Sequence, residues 1–530
     1  MIQSPPLARG GPSDFPPPNR PQRAPYQTGR TAAAPQKGGA AVRAGAESSP
    51  FLFSSHPSMA LLPLLLPLLL LAPLPPFAAR PAPTAVTVGV LLPEDPRRYP
   101  WALPRVGAAL NLALEALQPQ LSRAALAVRP VFVPVQGDRD CDLEGVQLKV
   151  VDLKASHDPD VLVVGSTCAL GEVFTGVERL ADHWSLPLLM AGGPVWKNHV
   201  PTTVQAYPTG HELSVLAPHL LRHFNWTSRA VFILGSELSA LFGSEPVAPF
   251  AMEDLFQVGP NFTAQGLIYH GPDEAVQLIR THGRVVFICV PLETLQEIMR
   301  VAQAQNMTNG DYVFFHLDCF GGTLQPQGRH QAARPWHSKE GQDAGGLREA
   351  FQTVLVITFH EPQTPEYRHF QSQLILRAQR DFGVALNDSL RLVAGCFHDA
   401  LLLYIRALNE TLHEGGTKRD TSHILEKMRD LKIQGVTGIV SMDRDIRREM
   451  DFDLWSMADV ESGEFQVVGH YMGSEKQIDW LGPIHWKKGS PPLDNPPCVF
   501  DTDDPSCGKS ECVQGQRGVS SPWTGHGGYS

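Results

Sequence analysis

Several chemical signatures are missing from this sequence. It holds no Gly-x-Ser-x-Gly elbow, no Gly-x-Gly-x-x-Gly fingerprint and no Cys-x-x-Cys pair, which removes the ordinary serine-hydrolase, dinucleotide-binding and zinc-ribbon readings. Positive charge is also short: 44 Lys and Arg face 54 Asp and Glu, for a net charge of −10. A nucleic-acid partner needs a basic face to replace phosphate counterions, so none is expected. After residue 71 no stretch has eighteen uninterrupted apolar residues, and no membrane span is expected there.

What is present suits a folded protein. The chain has 530 residues, 43% apolar and 18% charged, enough for real cores and for two or three lobes. Residues 1–58 stand apart. They are rich in Pro, Gly, Ala, Arg and Ser without apolar periodicity, and read as a disordered extension or gene-model artefact. They carry a charge of +4, so the remainder is more acidic than the whole, at −14. Residues 59–79 read as a signal peptide: Met59-Ala60 precedes a proline-broken leucine run over 61–71, and Phe77-Ala78-Ala79 supplies a cleavage site. The mature chain is therefore expected outside the cell.

From Ala85 onward, short β-branched runs alternate with helical patterns. Ala85–Leu92, Val131–Val133, Val161–Gly165, Leu186–Met190, Ala230–Leu234, Arg284–Val290 and Tyr312–Phe315 read as strands. Helices are expected over about 105–117 and 212–223. Such alternation means parallel sheets covered by helices on both faces, and about ten units exceed one sheet. The fold expected is α/β, with two doubly wound parallel-sheet lobes. The strand at 353–358 and the helices at about 366–380 and 389–412 suggest a return to the first lobe. Residues 443–471 read as an antiparallel ribbon closing the second.

In a secreted chain, disulfides are the default. Cys141 and Cys168 enclose a loop whose closure would stabilise by about 3–4 kcal/mol, and Cys498 and Cys507 bracket a turn-rich segment suited to a local bridge. Cys289 and Cys396 sit in apolar patterns and read as buried thiols, whereas Cys319 and Cys512 have no evident mate. Five Asn-x-Ser/Thr sequons, at Asn225, Asn261, Asn306, Asn387 and Asn409, point to glycosylated loops. Catalytic and metal signals fail. Gly508-Lys509-Ser510 lacks the earlier glycine of a phosphate loop, His211-Glu212 has Val215 where a zinc helix needs histidine, and His157-Asp158-Pro159-Asp160 reads as a turn. His183 reads as a partly buried packing or interface residue. Two lobes without catalytic groups point to a binding module.

A set of motifs carries a resemblance. They are Val88–Glu94, Tyr99-Pro100-Trp101 with Pro104–Gly107, Val151–Lys154, Asn309–Phe315, Arg348–Thr353 and Gln434–Gly438. Asp494–Cys498 and Asp504–Cys507 complete the set. In these the chain resembles the extracellular hormone-binding domain of the natriuretic peptide receptors, the receptor guanylyl cyclases, and most of all their B-type members. The resemblance implies a type I periplasmic-binding-protein fold, with one lobe at about 84–205 and 354–420 and the other at about 206–353 and 421–487. Residues 498–507 would form a juxtamembrane disulfide loop. It implies that Cys141–Cys168 and Cys498–Cys507 are bridges, and that a homodimer binds a natriuretic-type peptide between two copies. Arg179 and Glu253 align with peptide contacts, and His183 and Trp184 with the dimer interface.

The chain also departs from the family. Ser166 replaces proline and Leu170 replaces tyrosine after the expected strand, and Leu234 and Ser236 stand where the family has tyrosines. Thr167 replaces a glycine of the family's chloride site, and Pro134 and Val135 stand near its serine; these changes count against chloride at Thr167 and Cys168. Peptide binding is expected to be weak or altered in selectivity. Residues 508–530 diverge into a Gly/Ser-rich tail where the family continues into its membrane, kinase-like and cyclase parts. A truncated soluble form, acting as a decoy, or an incomplete gene model is expected; no cyclase activity is expected of the chain itself. The runner-up reading is a secreted protein holding a small ligand between its lobes.

Overall fold

The computed structural model describes residues 83–96, 99, 101–135, 143–165, 171–191, 200–205, 210–235, 258–259, 261–318, 323–324, 334–337, 346–386 and 391–500. Two sheets organise them. The first contains β1 (Thr84–Pro93), β2 (Leu126–Val135), β3 (Val161–Gly165), β4 (Leu188–Ala191) and β5 (Thr203–Gln205), all parallel, in the order 2-1-3-4-5. Between them run α1 (Leu103–Arg123), α2 (Leu143–His157) and α3 (Gly171–His183). Along β1 the side chains alternate: Val86, Val88, Val90 and Leu92 enter one core, and Leu91 enters the core beneath α2 and α3. A strand covered on both faces must be apolar at nearly every position, which is why β1 and β3 were readable as continuous runs.

After α4 (Gly210–His223) the same winding begins again. β6 (Arg229–Gly235), β7 (Thr263–Tyr269), β8 (Val285–Cys289), β9 (Val313–Asp318) and β10 (Val354–Phe359) are parallel, in the order 7-6-8-9-10. Phe232, Phe287 and Phe315 occupy facing register positions on β6, β8 and β9 and stack with ring centroids 5.2 and 4.9 Å apart. Such an aromatic ladder pins the register as well as burying area. The crossovers include α5 (Pro272–His282), α6 (Leu292–Ala304) and the short α7 (Leu347–Ala350). The expected α/β architecture of two doubly wound lobes is thus present.

The chain then returns to the first lobe. α8 (Pro365–Phe382) and α9 (Arg391–His413) pack against α1, and α10 (Thr421–Glu426) follows. A small antiparallel sheet of β11 (Lys432–Gly435), β12 (Gly438–Met442) and β13 (Arg448–Glu449) comes next. β14 (Phe452–Asp459), β15 (Glu464–Met472) and β16 (Gln477–Trp480) extend the second sheet antiparallel beyond β10. Two boundaries differ from expectation. The strand placed in the first lobe from residue 354 pairs with β9 and β14 in the second sheet, so the return begins only after Phe359. α10 stays with the first lobe, where the Thr421 hydroxyl donates to the Ser185 carbonyl. A strand's sheet is decided by its register partners, which composition does not encode.

Among the described residues one helix, within α9, is long and apolar enough to cross a membrane. It lies 83% buried inside the fold, as the central helix against α1. Its composition is therefore that of a core element.

Candidate functional site

Of the residues expected to bind peptide and partner, Arg179 and His183 lie on α3 and Trp184 follows its last residue. Val177 and Ala181 are buried in the core beneath α2 and α3, and Trp184 is half-buried against it. One turn apart on the opposite side, Arg179 and His183 are exposed, as the 3.6-residue period dictates. His183, expected to be partly buried, lies open to solvent, because the fold turns it away from the core. The helix closes as Leu186 donates to the Ala181 carbonyl at 2.8 Å, with Ser185 at φ +52°.

Neighbouring α2 packs tightly on α3 at Gly176. A Cβ there would lie 2.0 Å from Nε2 of Gln147, so no larger residue fits without moving that side chain. The outward side of α2 carries Leu148 and Val151, which are 61% and 40% exposed, at helical spacing. An exposed apolar pair on the helix beside Arg179 and His183 has the character of a protein contact surface.

Glu178 stands next to Arg179 in sequence but faces inward. Its carboxylate accepts from the Thr203 hydroxyl at 3.4 Å, and burial raises its pKa to about 7.

Several motifs of the resemblance have structural roles. The Arg105 guanidinium is fully buried and donates to the Tyr99 carbonyl at 3.1 Å and the Pro96 carbonyl at 3.2 Å, bracing the turn between β1 and α1. Asp399, on α9, gathers the loop of the Gln434–Gly438 motif. It accepts from the amides of Val436 (2.9 Å) and Thr437 (3.1 Å) and from the Thr437 hydroxyl, with His398 Nδ1 at 2.9 Å. Burial pushes the Asp399 carboxyl up, but the His398 hydrogen bond and the Arg448 charge outweigh it and hold the group below its ordinary value. Asp494 belongs to the last motif. It accepts from the amides of Ser228 (2.6 Å) and Arg229 (3.3 Å), while Trp226 Nε1 donates to the Pro492 carbonyl at 2.6 Å. The segment before Cys498 is thereby fastened to the start of β6.

The remaining expected site residues divide clearly. Glu253, Cys141, Cys168, Thr167, Ser236, Asn387 and Cys507 lie outside the described residues. Cys498 is disulfide-bonded. Cys289 and Cys396 are buried thiols, and desolvation raises the Cys396 thiol to about 11. Asn225, Asn261 and Asn306 are exposed; Asn409 is half-buried within α9. Leu234, where the family has a tyrosine, is fully buried and so presents no side chain to a ligand.

One cluster escaped the sequence reading. His360, Asp453 and His470 bring their ligand atoms within 4.8 Å of one another. The three are scattered along the chain, so no spacing motif announces them.

The comparisons with known proteins bear on both lobes. Residues 105–460 match a family model described as the receptor family ligand binding region. The chain is 48% identical over 444 residues to atrial natriuretic peptide receptor 2 of Rattus norvegicus, an alignment covering 81% of this chain and 41% of that protein. It is 47% identical over 457 residues to the receptor of the same name from Homo sapiens, covering 84% and 42%. With human atrial natriuretic peptide receptor 3 it shares 29% identity over 418 residues, covering 75% and 73%. The chain thus spans 41–42% of the length of these receptor 2 relatives.

Proposed function

This chain belongs to the receptor family ligand binding region family, and from that premise we propose that it is an extracellular hormone-binding region that takes a natriuretic-type peptide between two copies of itself. The observation that carries the proposal is the match over residues 105–460, which runs through both lobes. The exposed side chains of the adjacent helices α2 and α3, Leu148 and Val151 on one and Arg179 and His183 on the other, support it by offering apolar and cationic groups to a partner surface. Arginine and exposed apolar side chains are typical anchors where two protein surfaces meet. In this reading Arg179 contacts the peptide, His183 and Trp184 serve the contact between copies, and the net charge of −10 favours a basic peptide. Peptide selectivity differs from that of the relatives, because Leu234 is buried where the family presents a tyrosine.

Binding between two copies converts ligand affinity into dimer geometry, since the ligand favours whichever arrangement it contacts better. The test is calorimetric titration of the purified full chain with each natriuretic peptide, alongside Arg179→Ala. The proposal expects saturable binding to at least one peptide, weakened about tenfold or more by the substitution, or about 1.4 kcal/mol. Absence of binding to every peptide at about 10 μM, roughly −7 kcal/mol, overturns it. A small molecule retained between the lobes through purification would instead support the small-ligand reading.

A further inference from the structure

We propose that His360, Asp453 and His470 form a binding site for a divalent transition-metal ion of the zinc class. Two adjacent strands of the second sheet and the residue that follows a third build it. Asp453 on β14 is the register partner of His470 on β15 and of Thr358 on β10. His360 lies two residues beyond Thr358, hence on the same face of the sheet by the period of two. Three elements that are held by main-chain hydrogen bonds therefore present one ligand each to a common point.

The three donor atoms already lie close together, all within 4.8 Å of one another. His360 Nδ1 lies 3.1 and 3.0 Å from the two Asp453 oxygens, and His470 Nδ1 lies 2.9 Å from Oδ1. The imidazole centroids are 4.5 Å apart at 69°, so the rings converge edge to face without blocking each other. A tetrahedral zinc ion with bonds of about 2.0–2.2 Å requires donors roughly 3.3–3.5 Å apart. The His–Asp contacts fall a few tenths of an ångström short of that spacing, so an ion enters with local side-chain adjustment of the three groups. Two imidazoles and one carboxylate form a zinc donor set, and three protein ligands leave a fourth position for water.

The setting also favours a cation. His360, Asp453 and His470 are 36%, 13% and 23% exposed, open enough for ion entry and buried enough for weak screening. The carboxylates of Asp451 and Glu361 add negative potential around His360. The ordinary alternative is a hydrogen-bonded His–Asp–His cluster with no metal function. The two readings separate on stoichiometric binding.

The site would have a mechanical consequence. The His360 amide donates to the Asp451 carbonyl at 2.9 Å, after which the chain leaves the sheet for α8, packed on α1 of the first lobe. An ion ligated by His360 would fasten the first residue of that crossover to β14 and β15.

The test uses the full chain, stripped with a chelator and titrated with Co²⁺ at about pH 8, where free imidazoles are neutral. The expected result is one Co²⁺ per chain with the visible absorption of a low-coordinate ion, displaced by Zn²⁺, and a melting temperature raised by Zn²⁺. His360→Gln and His470→Gln should each weaken binding at least tenfold and abolish the thermal shift. If His470→Gln does not fold, His360→Gln decides, because His360 lies past the end of its strand. Failure of the unmodified chain to bind one equivalent, or unchanged affinity in a folded His360→Gln protein, overturns the proposal.

Discussion

The carboxylate of Asp399 occupies the space that a side chain at residue 435 would need: a Cβ on Gly435 would lie 2.4 Å from its Cγ and Oδ2. Helix α9 and the loop after β11 approach that closely because the buried acid bonds the loop's backbone directly. The Gln434–Gly438 motif and Asp399 are one structural unit, although nothing in their spacing announces it.

Gly435→Ala is therefore expected to destabilise the chain by about 1–3 kcal/mol through overpacking. Asp399→Asn, which keeps the shape but removes the charge opposite Arg448, should cost about 2–4 kcal/mol. Chemical denaturation with matched slopes measures both. A loss under 0.5 kcal/mol for each, within the usual scatter of surface substitutions, would show that the loop is held elsewhere.

Glu178 carries a pH signature. Its folded pKa of about 7 lies above the ordinary 4.5, so the folded state holds the proton more tightly than the unfolded one. Its contribution is most favourable below pH 4.5, declines as pH rises from 4.5 towards 7, and is fully unfavourable above that. Glu178→Gln should raise stability at about pH 8 by up to about 3 kcal/mol and leave it nearly unchanged at about pH 4. Melting curves across that range check this; a parallel shift at all pH values would contradict it.

Asp494 is expected to govern the end of the described chain. Asp494→Ala leaves the amides of Ser228 and Arg229 without their acceptor and should cost about 1–3 kcal/mol. Hydrogen exchange at Ser228 and Arg229 should accelerate, and a protease should cut residues 487–497 sooner. Unchanged exchange there would mean that the segment is fastened by its other contacts, such as the Trp226–Pro492 hydrogen bond and the Lys488–Asp311 ion pair.

The two outward residues of α2 separate stability from association. Leu148→Asp and Val151→Asp together should leave the melting temperature within a few degrees, since both side chains already face water. The same pair should reduce peptide-dependent association of two copies at least tenfold by placing charge in an apolar contact. Light scattering with and without peptide reads the difference. Undiminished association would move the interface off this face.

Much of the architecture was readable because doubly covered strands must be apolar throughout: β1, β3, β6, β8 and β9 all stand out as runs. β7 did not, because its partly exposed Thr263–Tyr269 pattern contains a glycine and has no continuous apolar run. β5 has three residues and no periodicity to detect. β10 was found as a strand but assigned to the wrong lobe, since its place depends on pairing with β9 and β14. At the candidate site, Arg179 and His183 were named through resemblance alone, and their common exposed side of α3 emerges only from the structure. The exposure of Leu148 and Val151 was not foreseen, because it follows from which side of α2 meets β1 and α3. The His360–Asp453–His470 cluster arises from strand register alone, and sequence order hides register.

Hormone binding as proposed requires one peptide held by two copies of the chain. Sedimentation velocity of the purified full chain with a saturating natriuretic peptide tests this most directly. The prediction is a species of two chains and one peptide, which in Arg179→Ala requires at least about tenfold more peptide to form. A complex of one chain with one peptide, or no complex at about 10 μM of any peptide, would contradict it.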